Sequence, residues 1–315
     1  MSVMVCSDEK LSAYNFGEQH PFGPARFYAF YEEFTRQGLD KRVELFDSVV
    51  ATQEQIEWFH DHKYVENVKL ASMVGEGYLD RGDTPAIIGI YEAASRVVGT
   101  SLEAMRLIME KKCKRAFVPI AGLHHARRKT AAGFCVFNDC AVVIEALRKL
   151  YDINRVLYVD IDAHHGDGVF YSYEDDPCVT IIDVHEDGHF LYPGTGAVTE
   201  SGKDKAKGSK LNIPLPMEAD DAVFDSVWPA MESFIHKAKF DFILLQCGAD
   251  SIKNDPITHM AFTPLTHAKV TQGLCKIADQ VCSGRLLATG GGGYSLDNIA
   301  QAWNAVVTAL VKSSK

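Results

Sequence analysis

The stretch RVLYVDIDAHHGDGV, residues 155–169, joins an apolar run to a dense group of ionisable side chains. Its β-branched and aromatic first half is typical of a buried strand. Because alternate side chains of an extended strand face the same side, Asp162 and His164 point in one direction. A carboxylate oxygen and an imidazole nitrogen at this spacing can hold a divalent metal ion, with a third ligand from elsewhere and one position left for water.

The same pattern, an apolar run followed by polar or glycine-rich residues, recurs along the chain. The predicted strands are AFVPI (116–120), RVLYVDID (155–162), VTIIDV (179–184), KLNIPL (210–215), DFILLQCG (241–248) and RLLATGGGG (285–293). Helical periodicity is found in residues 84–112, 138–150, 224–237 and 265–282, and from 296 to the end. Strands that alternate with helices predict an α/β fold, in which helices flank a central, mostly parallel sheet.

No repeat or linker divides the chain, so we expect a single domain over residues 1–315. Residues 1–45 are polar and turn-rich, with a predicted loop over residues 14–26 that holds two Pro and two Gly. In open parallel sheets, sites form where the carboxyl ends of strands meet. The active site is therefore expected at these strand ends.

Composition narrows the class of protein. The chain has 315 residues, with 32 Lys plus Arg against 42 Asp plus Glu, a net charge of −10. This balance argues against direct nucleic-acid binding, which needs a basic face. No signal peptide and no apolar stretch of the ~20 residues that span a membrane is found. The eight scattered cysteines suit a reducing compartment, so we expect a cytoplasmic protein, or a nuclear one in a eukaryote. The oligomeric state is left open.

Four of the predicted strand ends supply candidate catalytic groups. Asp250 ends a neighbouring apolar strand and is the candidate third metal ligand. The tandem His124 and His125 suit general acid–base work, because the pKa of histidine lies near neutrality. Asp160 and Asp167 are expected to orient this histidine pair. The run Gly290–Gly293 lets the backbone approach a ligand closely, which would place the hydroxyl of the following tyrosine, Tyr294, near a developing oxyanion.

These residues together resemble the zinc-dependent histone deacetylase family, which includes acetoin utilisation proteins and acetylpolyamine amidohydrolases. The matching strings are FGEQHPFGPAR (16–26), GLHHARRKTAAGFCVFND (122–139), VLYVDIDAHHGDGV (156–169), YPGTG (192–196), LLQCGADS (244–251) and GGGGYSLDNIAQAW (290–303), together with the segment 82–85. The similarity extends over essentially the whole chain in the expected order. It implies an arginase/deacetylase-like fold.

The resemblance also implies a role for each matching residue. Asp162, His164 and Asp250 would bind one zinc ion. His125 would be the principal general base and acid, assisted by His124, with Asp167 and Asp160 as their carboxylate partners and Tyr294 polarising the acyl oxygen. The substrate would be contacted by Gly133, Phe134, Tyr192, Asp83 and Ile257, and Arg26 would line an internal acetate channel. A structural potassium ion is expected near Asp160, Asp162, His164, Asp183 and Val184.

The activity implied is removal of acetyl groups from Nε-acetyl-lysine in proteins or peptides. Two positions depart from the family's pattern: Tyr192 replaces a frequent Phe, and Ile257 stands where polyamine-specific members carry Glu. An apolar residue cannot attract a distant ammonium group, although small acetylated amines stay an open alternative. An arginase-like ureohydrolase would need a further metal-bridging carboxylate, yet Gly166 and Gly248 occupy the corresponding places. A catalytically inactive scaffold would lack a ligand, a base or the tyrosine, and none is missing.

Overall fold

Eight strands form one sheet at the centre of the protein, as seen in a computed structural model that describes residues 3–314. In these residues every neighbouring pair of strands is parallel, in the order β2-β1-β3-β8-β7-β4-β5-β6. The strands are β1 (Val3–Cys6), β2 (Glu44–Phe46), β3 (Arg115–Val118), β4 (Val156–Asp160), β5 (Val179–Glu186), β6 (Lys210–Leu215), β7 (Phe242–Gln246) and β8 (Leu286–Thr289). The predicted α/β fold with a central parallel sheet is confirmed.

Helices flank this sheet. They are α1 (Ala25–Arg36), α2 (Gln53–Ile56), α3 (His62–Val74), α4 (Ile90–Met109), α5 (Asp139–Tyr151), α6 (Asp167–Ser172), α7 (Asp221–Lys237), α8 (Pro264–Val281) and α9 (Leu296–Lys312). No helix in the described part of the chain is long and apolar enough to cross a bilayer.

The predicted helix over residues 84–112 begins later than its periodicity indicates. Its first residue is Ile90, and Gly89 before it has a left-handed backbone, with φ of 82°. Upstream, the carboxylate of Asp80 accepts hydrogen bonds from the backbone N–H groups of Gly82, Asp83 and Thr84, which holds this segment in a turn. The local hydrogen bonds of Asp80 therefore override the apolar spacing.

The N-terminal region is more regular than the sequence predicts. β1 pairs with β2 and β3, and α1 buries Phe27, Phe30 and Phe34 on the face that packs against α9. The prediction of a turn-rich segment agrees with the loop over residues 14–24 but misses β1, α1 and β2. Strands of three or four residues are too short to show alternation, and their pairing partners lie far along the chain.

The topology determines where the functional residues meet. Strands β3, β8, β7 and β4 are adjacent in the middle of the sheet. The segments that follow them carry His124 and His125, Tyr294, Asp250, and the pair Asp162 and His164, respectively. Since parallel strands end at the same edge, four distant segments of the chain converge on one cleft.

A buried histidine makes the stability of this fold sensitive to acid. His60 is 2% exposed, and its Nε2 accepts a hydrogen bond from the backbone N–H of Asn138 at 2.9 Å. A nitrogen that accepts this bond carries no proton, and burial lowers the pKa of His60 to about 3. Between pH 6.5 and about 3, His60 therefore binds more protons in the unfolded chain than in the folded chain. The stability that neutral His60 contributes is present above this window and is lost as the pH falls through it.

We predict that His60→Gln makes the free energy of unfolding less dependent on pH, because glutamine can accept the same bond without titrating. Between pH 7 and pH 5 the wild type should lose about 2 kcal/mol more than the variant. Urea denaturation of both proteins at the two pH values measures this difference. Equal losses would contradict the assignment of a buried neutral His60.

Candidate metal and catalytic site

Three buried side chains converge at the carboxyl ends of β4 and β7. His164 Nδ1 lies 3.0 Å from Asp162 Oδ1 and 3.1 Å from Asp250 Oδ2. One donor atom from each of the three residues lies within 4.8 Å of the other two. Asp162 and His164 lie in the bend that follows β4, and Asp250 lies in a short 3-10 helix (Ala249–Ser251) that follows β7. Because β4 pairs with β7, all three residues lie at the same edge of the sheet.

Hydrogen bonds fix both carboxylates of this cluster. Asp162 Oδ2 accepts from the side-chain amide of Gln246 and the backbone N–H of Gly292, both at 2.8 Å. Asp250 Oδ1 accepts from the N–H of Ala163 at 2.9 Å. Each carboxylate keeps one oxygen directed at His164. Two carboxylates and one imidazole with fixed orientations form a donor set that suits a divalent cation.

The backbone around the cluster leaves no room for further side chains. A Cβ atom added to Gly292 would lie 2.0 Å from Asp250 Oδ2, and one added to Gly248 would lie 2.1 Å from Asp162 Oδ2. Glycine is therefore required at both places, because any other residue would displace a carboxylate oxygen of the cluster. Gly166 likewise lies close to Asp160, because a Cβ atom added to Gly166 would lie 2.7 Å from Asp160 Oδ2.

The charge balance of the cluster also favours a bound cation. Burial lowers the pKa of His164 by itself, but the carboxylates of Asp162 and Asp250 outweigh burial and raise the pKa to about 10. Burial and the neighbouring Asp162 raise the pKa of Asp250 to about 7. A metal ion and a proton compete for the same nitrogen, so a site that attracts a proton this strongly also attracts a metal cation.

The histidine pair lies beside this cluster, and each ring is held by its own carboxylate. His124 Nδ1 lies 2.8 Å from Asp160 Oδ2, and His125 Nδ1 lies 2.7 Å from Asp167 Oδ1. The two Nε2 atoms are 3.1 Å apart. The other oxygen of Asp167 accepts a hydrogen bond from Arg127 at 2.7 Å.

The two histidines differ in their ionisation. Burial opposes the charge on His124, yet Asp160 and Asp162 outweigh it and raise the pKa of His124 to about 10. Burial and the neighbouring charge of His124 lower the pKa of His125. His125 is thus the neutral member of the pair, with the proton on Nδ1 and the lone pair on Nε2.

Tyr294 follows the glycine run after β8 and faces the same space. Its ring packs edge-on against Phe134, with centroids 5.8 Å apart. Burial raises the pKa of Tyr294 well above its ordinary value, so its hydroxyl stays a hydrogen-bond donor. Arg26 is buried behind this loop and donates to the carbonyl oxygens of Gly293 and Gly291 at 2.8 and 2.6 Å. Its Nη1 is buried without a partner in the described residues.

A cavity of about 260 Å³ leads from the surface to these groups. It is lined by Asp83, His125, Gly133, Phe134, His164, Leu191, Tyr192, Ile257 and Tyr294. Gly133 fits between the rings of His125 and Tyr192, because a Cβ there would lie 2.5 Å from His125 Cδ2. The five residues predicted to contact substrate thus lie around one opening.

Asp183 and Val184 do not line this cavity but lie inside the fold on β5. Asp183 Oδ1 is 2.7 Å from His185 Nδ1, and its Oδ2 accepts from the N–H of Gly166 at 2.9 Å. The potassium ion expected near these residues stays a prediction.

Sequence reasoning missed four residues that hold the site together. Gln246 bonds Asp162, Arg127 bonds Asp167, and Asp255 accepts from the N–H of Tyr294. The carboxylate of Asp139 accepts from the N–H groups of Gly122 and Leu123, just before the histidine pair. Gln246 gave a usable signal, since it is a polar residue at the end of an otherwise apolar strand. The other three lie in loops or at a helix start, where a charged residue is ordinary.

Comparisons with known proteins agree with this geometry. A family described as "Histone deacetylase domain" matches residues 20–310. The match extends over most of the chain, and the chain belongs to the histone deacetylase family, a family of deacetylating hydrolases. The predicted family resemblance is confirmed.

Particular relatives are similar over nearly the full chain. Acetoin utilization protein AcuC of Bacillus subtilis (strain 168) is 36% identical over 305 residues, which cover 92% of this chain and 77% of the relative. The protein of the same name from Staphylococcus aureus (strain MSSA476) is 33% identical over 312 residues, covering 96% and 80%. The crystal structure of the HDA15 HD domain matches with a TM-score of 0.90 and 27% identity, over 99% of this chain and 89% of that chain.

We predict that Gly292→Ala weakens divalent metal binding by about 10- to 100-fold, because the added methyl group displaces a carboxylate oxygen of Asp250. Gly23→Ala is the matched control, since a Cβ there meets only ordinary contacts of 3.4 Å or more. Isothermal titration calorimetry, in which Zn²⁺ is added to the metal-free proteins, measures both affinities. Equal affinities would contradict the placement of the metal between Asp162, His164 and Asp250.

Proposed function

We propose that this protein is a zinc-dependent deacetylase that removes acetyl groups from Nε-acetyl-lysine in proteins or peptides and releases acetate. One observation carries the proposal: His164, a member of the buried cluster with Asp162 and Asp250, lines the same cavity as His125 and Tyr294. A candidate metal ligand, a base and a hydroxyl donor thus share one cavity. The catalytic domain would comprise residues 1–315.

Asp162, His164 and Asp250 would hold the zinc ion, since one imidazole and two carboxylates are suitable zinc ligands. When bound, zinc supplies Lewis acidity, which polarises an amide carbonyl and makes water more acidic. A site for one metal is favoured over a two-manganese site, because Gly166 and Gly248 provide no bridging carboxylate. In residues 3–314, no other group of three His, Cys, Asp or Glu side chains brings its ligand atoms within 4.8 Å of one another.

His125 would move the protons. Its Nδ1 is bonded to Asp167, which leaves Nε2 as the basic atom of a ring that lines the cavity. Nε2 would take a proton from the attacking water and later deliver it to the leaving amine. His124, held by Asp160, would assist through its charge, since its Nε2 lies beside that of His125.

Tyr294 would donate its hydroxyl hydrogen to the acyl oxygen as negative charge develops there. A donor placed at the oxyanion before the reaction stabilises the transition state more than the substrate. Its loop is anchored by Arg26. Arg26 would also line the path by which acetate leaves, because its Nη1 has no hydrogen-bond partner within residues 3–314 and could donate to a carboxylate.

The substrate side chain would enter between the flat walls of the cavity. Gly133, Phe134 and Tyr192 would pack along the apolar lysine methylenes, and Asp83 at the rim would accept hydrogen bonds from the peptide backbone. A net charge of −10 suits basic, lysine-rich segments as substrates. We further propose a structural potassium ion near Asp160, Asp162, His164, Asp183 and Val184, and a cytoplasmic location.

We predict that zinc-loaded protein releases acetate from an acetyl-lysine peptide and that chelation of the metal abolishes this activity. Tyr294→Phe should lower kcat by about 10²–10³-fold, through loss of one oxyanion donor. His125→Ala should lower it by about 10²–10⁴-fold, through loss of the base. His189→Ala is the control, because the side chain of His189 is 86% exposed and, within residues 3–314, hydrogen-bonds only Asp187. A coupled acetate assay measures all four proteins.

The proposal fails if wild type and both active-site variants release the same background amount of acetate. If the protein deacetylates small acetylated amines in preference to acetyl-lysine peptides, the proposed reaction stands and the proposed substrate class is wrong. A panel of acetyl-lysine peptides and acetylated polyamines therefore belongs in the same experiment.

We predict that Ile257→Glu raises kcat/KM for an acetylated polyamine by roughly tenfold, because a carboxylate at the cavity wall attracts the distant ammonium group. Ile257→Gln is the matched control, since it has the same size without the charge. The comparison uses acetylspermidine and a neutral acetylated amine of equal length. An equal response to Glu and Gln would show that Ile257 does not set this selectivity.

A further inference from the structure

The loop that carries Tyr294 cannot hold its own shape. Gly291 and Gly293 have positive φ angles of 84° and 122°, and the four consecutive glycines provide no side chain to pack. Glycine loses more conformational freedom on folding than any other residue. A precise position for Tyr294 therefore requires groups from elsewhere in the chain.

One buried carboxylate, that of Asp255, supplies such a contact. Its Oδ2 accepts hydrogen bonds from the backbone N–H groups of Tyr294 at 2.8 Å and Ser295 at 3.3 Å. Its Oδ1 accepts from the N–H of Ile257 at 3.1 Å. Asp255 is 7% exposed, and its bond to the N–H of Tyr294 has the short length of a charge-assisted hydrogen bond.

Asp255 and Arg26 act on opposite kinds of group in this loop. Arg26 binds the carbonyl oxygens of Gly291 and Gly293, whereas Asp255 binds the N–H groups of the two residues that follow. Ser295 is also the N-cap of α9, where a negative charge is favoured by the helix dipole. The loop is therefore held from the carbonyl side and from the amide side.

Asp255 does not line the substrate cavity, although its partners Tyr294 and Ile257 do. We propose that Asp255 is a positioning residue for Tyr294: it acts on the reaction by fixing the backbone from which the phenol extends, and it ties the Ile257 wall of the cavity to the same carboxylate. This inference rests on the proposed function for its kinetic consequence. The contact itself can be tested without turnover.

The first test is hydrogen exchange, measured by mass spectrometry on the metal-free protein. Asp255→Ala should speed amide exchange in a peptide that covers residues 290–298, because two N–H groups lose their acceptor. Asp221→Ala is the matched control: Asp221 holds Thr263 and Thr266 by equally short bonds, and none of these three residues lines the cavity. Unchanged exchange at 290–298 in the Asp255 variant would overturn the proposal.

The second test is a double-mutant cycle in the zinc-loaded protein. Asp255→Ala should lower kcat by about tenfold or more with KM changed less than about twofold, because misplacing a transition-state donor costs rate rather than binding. In the Tyr294→Phe background the same change should have little further effect on kcat. Asp255→Asn, which keeps the shape and one acceptor oxygen, should fall between wild type and Asp255→Ala.

The outcomes separate the two ideas. If wild type shows no deacetylation, the proposed function fails, and the exchange experiment alone decides on the contact. If wild type is active and Asp255→Ala lowers kcat equally with Tyr or Phe at 294, Asp255 does not act through Tyr294 and the inference is wrong. Should Asp255→Ala fail to fold, Asp255→Asn is carried through the same cycle with the same criteria.

Discussion

The burial of two carboxylates against a single imidazole is the constraint on which the site depends. Asp162 and Asp250 are almost fully buried, and both face His164. Buried charges are costly unless they are paired or hydrogen-bonded, so each carboxylate needs several donors. The chain supplies the amide of Gln246 and the N–H groups of Gly292 and Ala163, and all of these come from residues at the carboxyl ends of central strands or just beyond.

This requirement accounts for the strand order. The sheet places β3, β8, β7 and β4 side by side, which brings the histidine pair, the tyrosine loop and the three candidate ligands to one edge. β3 and β8 pair directly, with Arg115 opposite Leu286, although they are far apart in the sequence. The backbone is closely packed against the buried carboxylates at this edge. At Gly166, Gly248 and Gly292 there is no room for a Cβ atom beside a carboxylate oxygen.

Local sequence predicted the middle of the fold well and its first quarter poorly. The sequence predicts β6 with its exact bounds. The apolar runs of β4 and β7 are recognisable because both are buried on both faces, and because β4 ends in Asp160 and β7 is followed shortly by Asp250. β1 and β2 carry no such signal, since three- and four-residue strands owe their existence to pairing with distant partners. Arg127, Asp139 and Asp255 are not predicted for the same reason, because their partners are not sequence neighbours. Each forms a hydrogen bond with a backbone group or carboxylate that is remote in sequence or lies across a turn.

The distinction between groups that react and groups that hold them explains this difference. Chemistry demands particular side chains at particular strand ends, so Asp162, His164 and Tyr294 leave a pattern in the sequence. A residue that positions a reacting group needs only an acceptor or donor of the correct geometry, and any of the 42 acidic residues could provide an acceptor. Asp255 illustrates the point, because its sequence neighbourhood, Asn254 to Ile257, resembles an ordinary turn. What distinguishes Asp255 is that its carboxylate joins the nearby N–H of Ile257 to the N–H groups of Tyr294 and Ser295, which are remote in sequence, and that contact exists only in the folded chain.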